Sequence, residues 1–245
     1  MISGSTFLTA EWRHLAMLNF EVDPTSVRPL VPTGTELDDW RGRTFVSLVG
    51  FLFLNTRVIG MRIPLHRNFE EVNLRFYVRR KASEGWRRAV VFIKELVPRI
   101  AIAVTARTIY GENYVAVPMS HRIEVASQGA EAVRHVSYRW WFKGREHAIH
   151  VTARGEAREI AAGGEEEFIT EHYWGYARQR NGSTLEYRVE HPRWRVWAAQ
   201  EARLDCDVAT LYGDRFAACL KSPPASAFLA DGSEVAVLKG RRLAR

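Results

Sequence analysis

Polar and apolar residues alternate most regularly between positions 70 and 78, in the run EEVNLRFYV. Successive side chains of a β-strand point to opposite faces, so Glu71, Asn73, Arg75 and Tyr77 share one side and Val72, Leu74, Phe76 and Val78 the other. Alone, this is the pattern of a half-exposed strand with its polar side in water. The neighbouring segments argue that the polar side looks inward. Residues 45–54 are apolar on both faces, which predicts a central strand covered on both sides. Residues 100–110 (IAIAVTARTIY) are β-branched and carry one charge, Arg107. A buried strand is predicted there, and an arginine inside it needs a partner or a ligand.

The same reading places strands at 86–96, ended by Pro98, and at 114–125. Residues 36–40, the turn Arg41-Gly42-Arg43 and residues 44–58 read as a hairpin into a long strand. A second hairpin joins 133–142 to 147–152 through Lys143-Gly144-Arg145. Strands at 185–189, 193–204 and 234–238 follow, with Pro223-Pro224 in a loop before the last. Residues 9–22 mix an amphipathic start with a β-like end and define no element type. Helices are few. Asp23-Pro24 is a capping residue followed by proline at the first helical position, so 24–30 should form one or two turns. Residues 165–176 (EEEFITEHYWGY) open with three acids where the helix dipole favours them, and a helix there sets Phe168, His172 and Tyr176 on one face.

Repeats, low-complexity runs and linkers are absent, so residues 1–245 read as one domain. Many short strands with one strong helix predict a mainly β protein whose sheet is closed or sharply curved. An inward polar face in such a sheet lines a cavity, and it would hold Glu71, Asn73, Arg75 and Arg107.

Composition narrows the function classes. The chain is 47% hydrophobic and 26% charged, as in soluble globular proteins. Its longest nearly apolar run is about half of a membrane helix, and no signal peptide opens it. Two cysteines, Cys206 and Cys219, form neither a disulfide framework nor a metal motif and suit the cytoplasm as small buried residues. The net charge of +7 raises nucleic acid as a partner. The basic residues are nevertheless spread along the chain in short clusters (Arg79-Arg80-Lys81, Arg87-Arg88, Arg241-Arg242), so neither nucleic acid nor membrane is expected.

Phosphate-cradling glycine loops, Cys-x-x-Cys, Gly-x-Ser-x-Gly and His-Glu-x-x-His are all missing. His147 and His150, three apart in a strand, face opposite ways and make a poor ligand pair, so no metal or cofactor is expected. His191 beside Pro192 reads as a surface-loop histidine and His172 as a packing or capping residue. What remains is a group of Glu71, Glu112, Arg75 and Arg107, with Asn73, Tyr77, Tyr110 and Tyr114 nearby in sequence. Arginine forks bind carboxylates bidentately and a buried glutamate suits proton transfer. The same spacing equally fits an ion-pair network that only holds strand register.

The runs PTGTELDDWRGRTFVSLVGF, FEEVNLRFYV, ARTIYGENYVAVPM, EEFITEHYWGY and HPRW resemble the YqjF-like bacterial family of unknown function, over residues 12 to about 194. That family is similar to the acetoacetate decarboxylase-like superfamily. The resemblance implies a curved, cone-like antiparallel β-barrel with a few peripheral helices and the active site inside. The decarboxylases carry their Schiff-base lysine in Arg-Glu-x-x-Gly-x-Pro-Lys-Lys. Here the motif's arginine and glycine fall on Arg107 and Gly111, but Thr108 replaces its acid, Asn113 its proline, and Tyr114 and Val115 its two lysines. Schiff-base decarboxylation is therefore not expected; Lys94, on the preceding strand, is the nearest amine.

Glu71 is similar in placement to the strand glutamate of the decarboxylase cavity. The resemblance implies Glu71 and Arg107 as catalytic residues, with Asn73, Arg75, Tyr110, Glu112 and Tyr114 binding a small carboxylated or oxygenated molecule. Two functions stay open: a lyase, isomerase or hydratase without a Schiff base, and a non-catalytic protein that binds a small anion. A homo-oligomer is compatible with either.

Overall fold

The segment that defines no element type from its pattern, residues 9–22, falls, all but Val22, in the first strand of a closed ring. In the computed structural model, which describes residues 5–64, 66–100, 111, 113–126 and 132–243, β1 (Thr6–Glu21) leads through α1 (Pro24–Val27), a 3-10 turn and β2 (Glu36–Leu37) to β3 (Phe45–Val58), β4 (Phe69–Ala82) and β5 (Gly85–Val97). β6 (Tyr114–Ala116), β7 (Met119–Ala126), β8 (Val133–Phe142), β9 (Arg145–Arg154) and β10 (Arg158–Glu159) follow. After α2 (Glu165–Thr170) come β11 (Trp174–Arg178), β12 (Thr184–Glu190), β13 (Arg195–Asp205), α3 (Val208–Tyr212), α4 (Asp214–Lys221), β14 (Ser226–Leu238) and β15 (Arg241–Arg242).

Strands pair in the order β12-β11-β5-β4-β3-β1-β14, and β14 pairs back onto β12 at Val189 and Val237, which closes the ring. β14 also passes the chain outward to β13, and β13 to β9, β8 and β7, so a second sheet lies against the outside of the ring. β3 and β4 therefore bury both faces along most of their length. Along β3, Val46, Leu48 and Leu52 join the outer core with Val136, Tyr138 and Ile149, whereas Phe45, Val49, Phe51 and Phe53 point into the ring. The doubly apolar strand at 45–54 and the mainly β class predicted from the sequence are both found.

β1 is hard to read because it contains a bulge. His14 sits at φ 55°, and the register on β3 slips between Arg13↔Leu52 and Ala16↔Gly50. Ala10 packs inside the ring before the bulge, and Leu15 and Met17 do so after it, so the period of two breaks once. β8 approaches β3 closely at Gly50, where a Cβ would stand 2.6 Å from the Tyr138 ring. Tyr138 is fully buried and donates its hydroxyl to the carbonyl of His14 at 2.8 Å.

Three expectations need correction. Residues 36–40 are not a hairpin partner of β3: β2 is two residues long and pairs with β4, because both edges of β3 are taken by β1 and β4. Only the turn is right, with Arg41 and Gly42 at φ 54° and 80° between bridged Trp40 and Arg43. The stretch 114–125 is divided at Pro118 into β6, parallel to β5, and β7, on the outer sheet. The helix predicted over 165–176 stops at Thr170, after which residues 174–178 form β11 between β5 and β12. Its aromatic residues suit a strand, and Gly175 leaves room for Tyr187, whose ring a Cβ would meet at 2.1 Å. Phe168, His172 and Tyr176 thus share no helical face. The strand predicted at 100–110 lies outside the described residues. Among the described residues no helix is long and apolar enough to cross a membrane.

Five of the six clustered arginines pair with carboxylates. Arg79 pairs with Glu36 at 2.7 Å and Arg88 with Asp38 at 3.0 Å, while Arg80, Arg87 and Arg241 converge on buried Glu186 at 3.5, 2.8 and 2.9 Å.

Gly50→Ala should cost about 1–3 kcal/mol, because the Tyr138 ring has little freedom to retreat from the added methyl. Urea denaturation checks this, and in a Tyr138→Ala background the cost of the same substitution should largely disappear.

Candidate functional site

The polar face of β4 looks inward. Glu71, Asn73 and Arg75 line a cavity of about 320 Å³ inside the ring, within the size range of small-molecule sites. All three are buried. Most of the remaining wall is apolar and aromatic, with Trp12, Phe51, Phe53, Phe69, Phe92 and Trp194 among its residues.

Asn73 Nδ2 donates to Glu71 Oε1 at 3.0 Å, and the Tyr114 hydroxyl approaches Glu71 Oε2 at 3.4 Å. Arg75 donates from Nη2 to the carbonyl of Ile169 at 3.4 Å, and its guanidinium lies 5.9 Å from the Tyr77 ring. Among the described residues Arg75 makes no ion pair, and its Nε has no hydrogen-bond partner. A buried guanidinium without a carboxylate costs several kcal/mol of lost hydration, which an anionic ligand would offset.

Glu95, on β5, also lines the cavity and is 1% exposed. Strict alternation from Phe92, which faces the cavity, would put Lys94 inside and Glu95 outside. A bulge reverses this. Arg75 pairs with Phe92 but Leu74 pairs with Lys94, so Ile93 is an extra residue and the parity of β5 changes. Glu95 turns inward opposite Asn73, and the ammonium of Lys94 reaches the carbonyl of Leu211 on the outer side, 5.9 Å from the Tyr212 ring. The amine nearest in sequence to the decarboxylase motif is thereby kept out of the cavity.

Two histidines that the sequence pattern assigns to packing and to a surface loop line the same cavity. His172, just past α2, stacks on Tyr77 at 4.7 Å; among the described residues neither ring nitrogen reaches hydrogen-bond geometry, and the backbone of Ile169 is the polar group beside it. Burial, with the charges of Arg88 and Arg75 beside it, holds its pKa well below the ordinary imidazole value. His191 stacks on Trp194 at 4.4 Å and is also held low, first by burial. The turn that ends α2 at Glu171 points His172 inward, and a helix continued to residue 176 would hide this. His147 is buried and His150 exposed, on opposite faces of β9 as expected.

The structure therefore brings together Glu71, Asn73, Arg75 and Tyr114 of the residues singled out in the sequence, and adds Glu95, His172 and His191. Arg107, Tyr110 and Glu112 lie outside the described residues. Among the described residues no group of three His, Cys, Asp or Glu side chains is arranged to hold a metal ion.

The mostly β fold with its ring of strands matches solved structures of acetoacetate decarboxylase-like proteins. Similar solved structures include the enduracididine biosynthesis enzyme MppR complexed with pyruvate, with a TM-score of 0.66 at 12% identity over all of this chain and 92% of that one. Acetoacetate decarboxylase from Legionella pneumophila gives 0.63 at 11% identity, over 97% of this chain and 87% of that one. An acetoacetate decarboxylase-like enzyme from Sphingomonas wittichii RW1 gives 0.64 at 13% identity, over 98% and 94%. At these identities the likeness establishes the fold. The model of the DUF2071 family of uncharacterized conserved proteins matches residues 9–234, and the chain belongs to that family. It is 28% identical over 211 residues to the uncharacterized protein YqjF of Bacillus subtilis strain 168, which covers 85% of this chain and 81% of that protein.

Two outcomes are expected from this geometry. Sodium borohydride added with acetoacetate should leave no adduct at Lys94, as read by mass spectrometry of the intact and digested protein. Folded His172 stays neutral while the unfolded chain takes up its proton below about pH 6.5, so stability falls as pH drops through that value, by up to about 1.4 kcal/mol per unit for one group. Urea midpoints from pH 7.5 to 5 should fall less steeply in His172→Phe, the remaining slope including that of His191.

Proposed function

We propose that the protein binds a small carboxylate-bearing organic molecule inside the ring, with Arg75 as the anion anchor and Glu71 as the proton-transfer group of a lyase, isomerase or hydratase reaction that uses no Schiff base. The observation that carries this reading is the buried guanidinium of Arg75, which faces the cavity without an ion-pair partner among the described residues. A charge left so is expensive in a structural role and suited to a ligand. Glu71 accepts from Asn73 and Tyr114, which orient its carboxylate toward a bound molecule. Arg107, Tyr110 and Glu112 join the reading from the family resemblance alone.

A Schiff base is left out because the described cavity-lining residues include no lysine and Lys94 is turned to the other side of its strand. Support for the ligand class comes from MppR, a fold neighbour solved with pyruvate and with the condensation product of pyruvate and imidazole 4-carboxaldehyde.

A thermal-shift screen of small carboxylic acids tests the proposal. At saturation at least one acid should raise the melting temperature of the wild type by several degrees. Arg75→Met should weaken that ligand on the order of tenfold to a hundredfold. Glu71→Gln should keep the stabilisation and lose at least about a hundredfold in turnover of the same acid. Unchanged turnover in Glu71→Gln sinks the catalytic assignment. Stabilisation with no turnover in either protein makes this a small-anion binding protein.

A further inference from the structure

Among the described residues, the cavity lining carries buried polar atoms with no hydrogen-bond partner: Asn73 Oδ1, Arg75 Nε and both ring nitrogens of His172, with Trp12 Nε1 and Thr56 Oγ1 elsewhere in the same lining. Asn73 is 1%, Arg75 8% and His172 6% exposed, and all three line the cavity. Buried polar atoms in folded proteins are nearly always paired, so orphans gathered on one wall describe what would complete them.

The Asn73 amide has a defined orientation. Its Nδ2 donates to Glu71 Oε1 at 3.0 Å, and turning the amide over would set two oxygens against each other. Among the described residues nothing donates to Oδ1, which leaves it as an acceptor open to a ligand. Arg75 Nε–H is a donor only, which suits a carboxylate oxygen. The two residues lie on the same face of β4, their Cα atoms one pleat repeat or roughly 7 Å apart. A carboxylate and a hydroxyl on the same or the next carbon span that gap with one hydrogen bond at each end. Beyond this polar end the wall turns aromatic, at Trp12, Phe51, Phe53, Phe69 and Phe92.

We propose that the cavity is built for a hydroxy acid with an apolar tail, its carboxylate on Arg75 Nε and its hydroxyl donating to Asn73 Oδ1, in preference to the oxo acid of the same skeleton. The proposal rests on the reading of the cavity as a carboxylate site and narrows it. An oxo oxygen has no proton to give, so an oxo acid leaves Asn73 Oδ1 buried and unpaired, whereas a hydroxy acid satisfies it. His172 stands beside the carboxylate position, in contact with Tyr77 as Arg75 is, and as a neutral imidazole offers one donor and one acceptor to the ligand.

Isothermal titration of the full chain with matched acids tests this: each enantiomer of mandelate against phenylglyoxylate, 3-hydroxybutyrate against acetoacetate, and phenylacetate as the acid without the second oxygen. In at least one pair the hydroxy acid should bind about tenfold or more tighter than its oxo partner. Asn73→Leu should bring that ratio to about one. A ratio of one or below in both pairs, with binding that still depends on Arg75, overturns the hydroxy-acid assignment and leaves the carboxylate site standing. A preference that survives in Asn73→Leu overturns it as well. If none of the acids binds, the carboxylate site itself is wrong and the narrower assignment goes with it. Should Asn73→Leu fail to fold, the wild-type ratio decides.

Discussion

Strand parity governs this molecule. Because the ring is closed and a second sheet covers much of its outside, a ring strand such as β3 or β4 has no solvent face to hold residues of the wrong kind. Whether a side chain enters the cavity or the outer core depends on whether its position is odd or even along the strand, and a bulge exchanges the two sets. The bulge at His14 keeps the apolar residues of β1 inside on both sides of the break. The bulge at Ile93 decides the chemistry, since it turns the carboxylate of Glu95 into the cavity and the amine of Lys94 out. A one-residue irregularity in the backbone thus separates a site with a candidate nucleophilic amine from one with carboxylates.

The cavity combines two physical demands that oppose each other. Its aromatic lining excludes water and lowers the local dielectric, which strengthens any charged contact formed there. The same lining makes the guanidinium of Arg75 and the buried carboxylates costly to hold. His172 resolves the conflict by staying neutral, pressed by burial and by the charges of Arg88 and Arg75. Of the two arginines buried among the described residues, Arg87 pairs with Glu84 and Glu186 and Arg75 has no ion-pair partner, which is why Arg75 stands out.

Those other arginines show what the basic composition is for. On β4 and β5, Arg79, Arg80, Arg87 and Arg88 all pair with carboxylates, and the two last also lie over Trp174 and Phe168 at 4.1 and 4.6 Å. Planar guanidinium groups can pair and stack at once, and here they tie α2, β2, β12 and β15 to the outer ends of the ring strands. Clusters that suggest an anionic macromolecule when read as a string are largely internal fastening.

Much of the architecture was legible without coordinates, because alternation and turn chemistry are local. The run from Glu71 to Val78, the doubly apolar β3 and the Lys143-Gly144 turn follow from period and from residue type, and Glu71, Asn73 and Arg75 were placed on one face by counting. The sequence could not show the Ile93 bulge, because an extra residue is defined by its partner strand and leaves no mark in its own. It likewise hid the inward turn of His172, since the acidic start at Glu165 predicts a helix whose end at Thr170 is set by the slot between β5 and β12 that claims residues 174–178. Sequence by itself determined which side chains could share a face. Only tertiary structure decided which face looked inward, because that depends on ring closure and bulges, contacts between residues far apart in the chain.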